Sequence, residues 1–472
     1  MNKSLRPYQQ EVICKVEDAL KSNVSKQLVV MATGLGKTYT AVKLVEKLAF
    51  KKTLWITHNE ELISQSGLAF LKDKFDEDFA GHVEAMGFLE WVENNNCLFG
   101  NHTGTFKMGA IKASTFKPHG EVVMASAQTL YRRLDKLPVD YFDCIIVDEA
   151  HLFLAKTFIQ PLEYFKPKLL LGLTATPTRM DGLSLGNIFD QMTYEYNIGQ
   201  GIKDGYLCEL DGIRVKTDLS LDNVRTTAGE FNQKDLADEV NIPKRNRLIV
   251  EKYIQYATGR QGIFFCVDVA HACDLADMFT EMGIKCKPIV GDEEFTPDRV
   301  GAIQDFKNGK IQVLTNCQIL TTGFDFANTG VIGNASPTKS LTKYMQSIGR
   351  GSRLKSKEFV DKFGQNCIIL DFVDSSSRHK LVNTWTLDSQ LPLEDRLFLT
   401  QEKRDLILEE RAKRFAKVEN LYIADDRIKL IELPPAKQFA WKKMQEPATA
   451  PQLKWISDLG YDINSIQYTK QQ

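Results

Sequence analysis

The sequence predicts an α/β protein of two tandem domains, each a parallel sheet covered by helices, with a small helical C-terminal region. Two observations carry this expectation. Short, continuously apolar runs recur along the chain, the pattern of strands buried on both faces. Segments of helical period separate them, the alternation that builds βαβ units. With about 150 residues to a domain, 472 residues leave room for two to three units.

In the first domain, placed at residues 1–200, the strand runs are "QLVVMAT", "KTLWITH", "EVVMAS", "CIIVDEA" and "LLLGLTAT". In the second, at 201–373, they are "GIFFCVD", "CKPIVG", "IQVLTN", "GVIGNA" and "NCIILDF". "TYTAVKLVEKLAF" and "AHACDLADMFTEMG" have the helical spacing that fills the gaps, and the strand-poor "GQGIKDGYLCELDG" joins the halves. From 374 to 472 the character changes. "EDRLFLTQEKRDLILEERAKRFAKVENLY" interleaves acids and bases, as a solvated, salt-bridged helix does. "LPPAK" breaks it, and the tail has an amphipathic pattern with Trp455 and Leu459 on one side.

Composition narrows the function. At 43% hydrophobic and 26% charged the chain is ordinary globular protein. A net charge of −1 excludes a global positive field, so any nucleic-acid contact must come from a local groove. No apolar stretch approaches the roughly 20 residues of a membrane span, and "MNKSLRPYQQEV" lacks the apolar core of a signal peptide. The expectation is a soluble, cytoplasmic, monomeric protein of a bacterial or phage-infected cell. Nine scattered cysteines form no CxxC pair and read as buried thiols. Cys97, His102 and His119 are poorly spaced for zinc.

The chemistry begins at "VVMATGLGKTYTAV", a strand, a glycine-containing loop and a helix. Small residues Thr33, Gly34 and Gly36 let backbone N–H groups close around phosphate oxygens at a helix N-terminus. Lys37 would reach the β- and γ-phosphates, and Thr38 would place its hydroxyl on Mg²⁺. Met31 stands where the GxxxxGK(S/T) pattern has its first glycine. "IIVDEAH" then ends a core strand with two acids and a histidine. A solvated turn explains such an ending alone, but beside a phosphate loop it reads as the other half of one site. Asp148 would hold Mg²⁺, largely through water, and Glu149 would take the proton of the attacking water.

Taken together these residues resemble a superfamily 2 helicase or translocase of the DExH type over nearly all of 1–380. The resemblance implies two RecA-like domains with an ATP cleft between them. "LRPYQQ" (5–10) resembles the family's first motif, in which Arg6 and Gln9 read adenine. "THNEELISQ" (57–65) and "ASAQTL" (125–130) resemble segments that touch a strand backbone, which implicates Thr57, His58, Gln128 and Thr129. "LTATPTR" (173–179) resembles the coupling motif, with Thr174 and Thr176, and His151 would report the nucleotide state to it. In the second domain "IFFCVDVAHA" (263–272) and "LTTGFDF" (320–326) resemble strand-holding motifs, implicating His271, Thr321 and Thr322, with Asp325 on the ribose. "QSIGRGSR" (346–353) fits the family's QxxGRxxR, giving Gln346, Arg350 and Arg353. Planar, permanently charged guanidinium groups suit phosphate oxygens, and Arg350 and Arg353 would meet the γ-phosphate on closure.

Among relatives the wording resembles the group of XPB, RadD, phage UvsW and type I restriction motor subunits, nearest the small phage branch-migration helicases. The resemblance therefore implies an ATP- and Mg²⁺-dependent DNA helicase acting on forked or branched DNA in replication, recombination and repair. An RNA helicase, a duplex translocase that separates no strands, and a non-catalytic nucleic-acid scaffold are the other readings; intact Lys37, Glu149, Arg350 and Arg353 argue against the last. Residues 76–107 exceed the expected loop length. Their Phe88, Trp91 and Phe99 would form a wedge that stacks on a base, or would pack on the domain flank.

Overall fold

A computed structural model describes residues 4–58, 60–75, 77–94, 107–113, 115–153, 156–176, 185–227, 230–292, 294–317, 319–321, 324, 326–375 and 422–429. The chain divides into two compact units, residues up to Met31 and Gly36–Tyr196 forming the first, and Ala32–Leu35 grouping with the chain from Asn197 in the second. Among the described residues no helix is long and apolar enough to cross a membrane.

The first unit is built on strands β1 (Lys26–Met31), β2 (Thr53–Thr57), β3 (Met108–Lys112), β4 (Thr115–Lys117), β5 (Val122–Ser126), β6 (Cys144–Asp148), β7 (Leu169–Thr174) and β8 (Gln191–Tyr196). Their order is β4-β3-β5-β2-β6-β7-β1-β8, and every pairing but the β3–β4 hairpin is parallel. The predicted continuous apolar runs are these strands. Every residue of β2, β5, β6 and β7 is buried, because helices cover both faces. One face packs Leu54, Ile56, Ile145, Val147 and Leu170 into a core closed by Phe142, Phe153 and Phe165.

Helices α1 (Pro7–Lys21), α2 (Lys37–Leu48) and α3 (Glu60–Lys74) begin the cover. The long segment after α3 is helical where the structure describes it, as α4 (Glu77–Met86) and α5 (Phe88–Asn94). Phe88 and Trp91 are 2% and 6% exposed, which corrects the wedge reading for both. They belong to an aromatic cluster with Phe79, with centroids 6.3 Å apart between Phe88 and Trp91 and 6.1 Å between Phe79 and Trp91. Burial of these two rings anchors the segment to the flank and leaves neither of them free to stack on a base. Phe99 lies outside the described residues.

The second unit's main sheet contains β9 (Glu209–Ser220), β12 (Gly262–Phe265), β13 (Cys286–Ile289), β14 (Val313–Asn316), β15 (Val331–Asn334), β16 (Asn366–Ser375) and β17 (Tyr422–Lys429). A separate hairpin pairs β10 (Thr226–Thr227) with β11 (Glu230–Phe231). The sheet order is β13-β14-β12-β15-β16-β9-β17. All its pairings are parallel except β17, which runs antiparallel along β9. Its own core gathers Ile213, Phe264, Leu275, Phe279, Val313 and Leu370. β17 departs from the predicted helical C-terminal region: within 374–472, residues 422–429 are a strand that covers the otherwise open edge of β9.

Gly67 of α3 shows how tightly the added helices are seated, because a Cβ there would lie 2.3 Å from the Phe88 ring. Alanine favours a helix over glycine by about 1 kcal/mol, yet overpacking costs about 1–3 kcal/mol. Gly67→Ala is therefore expected to lower the thermal unfolding transition, and Phe88→Leu in the same chain to restore part of it. An unchanged transition would contradict this packing.

Candidate functional site

β7 lies between β1 and β6, and all three strands run the same way. Val30 is level with Thr174, and Asp148 with Leu173. The phosphate-type loop after β1, the acids after β6 and Thr174 thus emerge side by side at the carboxyl edge of one sheet, where open α/β sheets bind ligands.

The loop after β1 depends on two glycines in left-handed conformation, Gly34 at φ 88° and Gly36 at φ 78°. Gly36 is also the N-cap of α2, and a Cβ on it would lie 2.9 Å from Gln9 Nε2. Any other residue there would be strained by φ, and its Cβ would displace the Gln9 amide. Met31 is tolerated at the first-glycine position because it is the last residue of β1, with its side chain fully buried. Its carbonyl accepts a hydrogen bond from Lys37 Nζ at 3.2 Å. Thr33 and Thr38 are half-buried. Gln9 is 5% exposed; its Oε1 accepts from Arg6 N–H at 3.0 Å, in the capping box that starts α1. Arg6 is exposed and donates to the Tyr8 hydroxyl at 3.2 Å, and Tyr8 stacks on Tyr196.

At the acid end, neighbouring strand residues should point to opposite faces. The chain avoids this by placing Glu149 at φ 52°, ψ 52°. A left-handed glutamate is strained, and such strain collects at functional sites. Glu149 N–H donates to Asp148 Oδ1 at 3.0 Å. Burial, then the Glu149 charge, push the Asp148 carboxyl up to about 7, against the pull of Lys37, the Glu149 amide and the Ser66 hydroxyl. Two crowded acids with hard oxygen donors suit a divalent cation, and Asp148 with Thr38 fit Mg²⁺.

His151 is buried after Glu149, with Nδ1 3.4 Å from Glu149 Oε2 and 2.9 Å from Thr174 Oγ1. The Thr174 hydroxyl donates its one proton to Thr176 O at 2.8 Å and accepts from Thr176 N–H at 3.2 Å. Nδ1 must then carry the proton toward Thr174. The structure joins Glu149, His151, Thr174 and Thr176 in one chain of contacts.

The strand-contact candidates divide. Thr57 is fully buried at the end of β2, so its side chain does not meet a ligand from solvent, which corrects that expectation. His58 is half-buried; burial lowers its pKa, and the Glu149 charge opposes this. It therefore neighbours the acids. Gln128 is exposed on the short helix Ala127–Tyr131. The Thr129 hydroxyl accepts from Ala113 N–H at 3.2 Å and from Ser126 Oγ at 3.1 Å, and so braces the β3–β4 turn. His271 is a further correction: it is fully buried, and its Nδ1 accepts from Val267 N–H at 3.3 Å. Burial, helped by the Arg245 charge, pushes its pKa down to about 3, so it is a neutral core residue that cannot reach a strand. Thr321 ends the turn Ile319–Thr321. Its side chain, with Thr322 and Asp325, lies outside the described residues.

In the second unit the helix Leu341–Gly349 carries Gln346, which is 9% exposed, and ends at its C-cap Arg350. Arg350 Nη1 donates to Phe324 O at 2.7 Å. Arg353 is partly buried, which lowers its guanidinium to about 10 and leaves it cationic at neutral pH. A buried network missed by sequence reasoning holds this helix. Tyr344 donates to Asp371 Oδ2 at 2.6 Å, Asn334 to Asp371 Oδ1 at 2.7 Å, and Ser347 to Asn334 Oδ1 at 2.9 Å. The available signal was an acid ending the apolar run "CIILD", the pattern that exposed Asp148. Among the described residues no group of three or more His, Cys, Asp or Glu side chains gathers as a protein-only metal site; His119 is exposed, and Cys97 and His102 lie outside them.

Comparison with known proteins agrees with this geometry. Residues 2–179 match the family described as type III restriction enzyme, res subunit, and residues 244–355 match the helicase conserved C-terminal domain. IRC3 of Saccharomyces cerevisiae, a candidate ATP-dependent helicase, is 31% identical over 391 residues, covering 79% of this chain and 52% of that protein. The endonuclease subunit of the Escherichia coli type I restriction enzyme EcoAI is 26% identical over 389 residues, covering 75% of this chain and 45% of that one. The chain thus spans about half the length of these relatives. The ATP-dependent type ISP restriction-modification enzyme LlaBIII, solved bound to DNA, shares the fold with a TM-score of 0.55 at 18% identity, over 89% of this chain and 31% of that one.

His271 yields a pH prediction. Its folded pKa lies below the ordinary 6.5, so the unfolded chain binds the proton first. Stability is full above about 6.5 and declines as pH falls toward about 3. Urea unfolding followed across that window should show a shallower decline in His271→Gln than in the wild type; equal slopes would contradict a neutral core histidine.

Proposed function

Because the chain carries the two domains of an ATP-hydrolysing superfamily 2 helicase, we propose that it couples ATP hydrolysis to movement along DNA and to strand separation or branch migration at forks and junctions. The observation that carries the reading is the contact chain from Glu149 through His151 to Thr174 and Thr176, beside a glycine loop whose lysine is in place.

The loop's N–H groups and Lys37 hold the β- and γ-phosphates, while Gln9 and Arg6 face the adenine. A magnesium ion held by Thr38 and Asp148 supplies neutralisation of phosphate charge when bound. Glu149 accepts a proton from water as its oxygen attacks the γ-phosphorus and the bond to the bridging β–γ oxygen breaks; ADP and inorganic phosphate leave. Arg350 and Arg353, with Gln346, neutralise the transferring phosphoryl group once the units close on nucleotide. His151 senses the change at Glu149 and passes it to Thr174 and Thr176. In the same reading Gln128 of the first unit and the Thr321–Thr322 stretch of the second each meet the strand backbone, and Asp325 bonds the ribose.

DNA is favoured by the restriction-enzyme relatives and by LlaBIII, whose structure contains DNA. A motor of the XPB, RadD and UvsW kind acting in recombination and repair is the finer form of the reading.

Two measurements test it. ATP hydrolysis is expected to rise more with forked DNA and Holliday junctions than with linear duplex or RNA; stimulation by RNA alone would redirect the assignment. Glu149→Gln should lower turnover by about 10²-fold or more while nucleotide binding persists, and near-normal hydrolysis would remove Glu149 as the base.

A further inference from the structure

Just beyond the arginines lies a lysine buried like a core residue: Lys355 is 7% exposed. Its ammonium donates to three backbone carbonyls, Ala327 O at 3.0 Å, Thr329 O at 2.6 Å and Gly351 O at 2.7 Å. An ammonium has three donors, and all are used. Burying a lysine charge is unfavourable unless every proton is satisfied, so this position demands something an apolar side chain lacks.

The three acceptors belong to two irregular segments. Ala327 and Thr329 follow the "LTTGFDF" stretch, and Gly351 lies between Arg350 and Arg353. Arg350 grips the first of these segments as well, through Phe324 O at 2.7 Å. Cys208 adds two bonds to the arginine turn, from Sγ to Gly351 O at 3.2 Å and from N–H to Ser352 O at 2.8 Å. A Cβ on Gly351 would lie 2.4 Å from Cys367 Sγ, so the turn sits directly on the sheet.

We propose that Lys355 is a positioning residue for Arg350 and Arg353. Its ammonium pins the turn that carries them to the 327–329 segment, so the guanidinium groups are held in place before phosphate arrives. The inference rests on the ATP-hydrolysis reading above and goes beyond it by naming what fixes the arginines. No uncharged side chain offers three donors to three carbonyls at once. Without them the turn relaxes, and displacement of a catalytic group by about 1 Å can cost about 10²-fold in rate.

The test compares steady-state ATP hydrolysis, with saturating forked DNA, for the wild type, Lys355→Met, Lys355→Arg, Arg350→Ala and Arg350→Ala with Lys355→Met. Circular dichroism checks folding. Expected is a kcat loss of about tenfold or more in Lys355→Met with KM for ATP within about twofold. Lys355→Arg should lose less, and the double variant should lose less than the product of the two single losses, because part of the Lys355 effect acts through Arg350. A kcat within about twofold of the wild type, or losses that multiply in the double variant, would overturn the proposal. If Lys355→Met does not fold, Lys355→Gln, whose amide offers at most two donors, decides: a lowered kcat at unchanged KM supports the role, and an unchanged kcat overturns it. A wild-type chain that hydrolyses no ATP would sink the underlying reading and this one with it; an active wild type beside an equally active Lys355→Met sinks the positioning role alone.

Discussion

The site depends on one geometric constraint, the parallel registration of β6, β7 and β1. With Asp148 level with Leu173 and Val30 level with Thr174, three strand ends deliver an acid pair, a hydroxyl and a phosphate-type loop to the same edge. An antiparallel strand at any of the three places would send one group to the far end of the sheet. The registration is maintained by burial on both faces, since a slip of one residue would turn the packed side chains of β6 and β7 to the wrong layer. Function here is therefore inherited from core packing. The strained turn at Glu149 adds the one local adjustment the parallel sheet cannot provide.

Much of this was legible in the sequence because the runs are continuous and end in polar groups. "CIIVDEAH" and "VVMATGLGKT" announce both a buried strand and what lies beyond it. The left-handed glutamate was not legible, since nothing in its neighbours encodes a positive φ. Side-chain direction was the weakest point. Thr57 and His271 sit in segments of the expected family order, yet their side chains turn into the core. A motif that works through its backbone leaves its side chains free to pack. Phe88 and Trp91 stand three apart, the spacing of one helix face, and that periodicity favoured packing on α3. β17 escaped because its charged sequence "YIADDRIK" reads as part of a helix; pairing with β9 overrides that local preference.

The second unit shows the complementary design. Its arginine helix is tied down by buried polar contacts, with Asp371 accepting from Tyr344 and Asn334 beneath it and Lys355 gripping the turn beyond it. Fully satisfied buried networks rigidify and specify a single arrangement, whereas an apolar core tolerates sliding. Guanidinium groups that must meet phosphate with a defined fork geometry gain from that rigidity.

The central claim is that chemistry at Glu149 is read by Thr174 through His151. Its most direct measurement is the number of base pairs separated per ATP hydrolysed on a forked duplex, in the wild type and in Thr174→Val, which keeps the shape and removes the hydroxyl. The account predicts that this ratio falls by about tenfold or more, since the link is a single hydrogen-bonded contact in a buried chain. A variant that separates strands with the wild-type yield per ATP would contradict it.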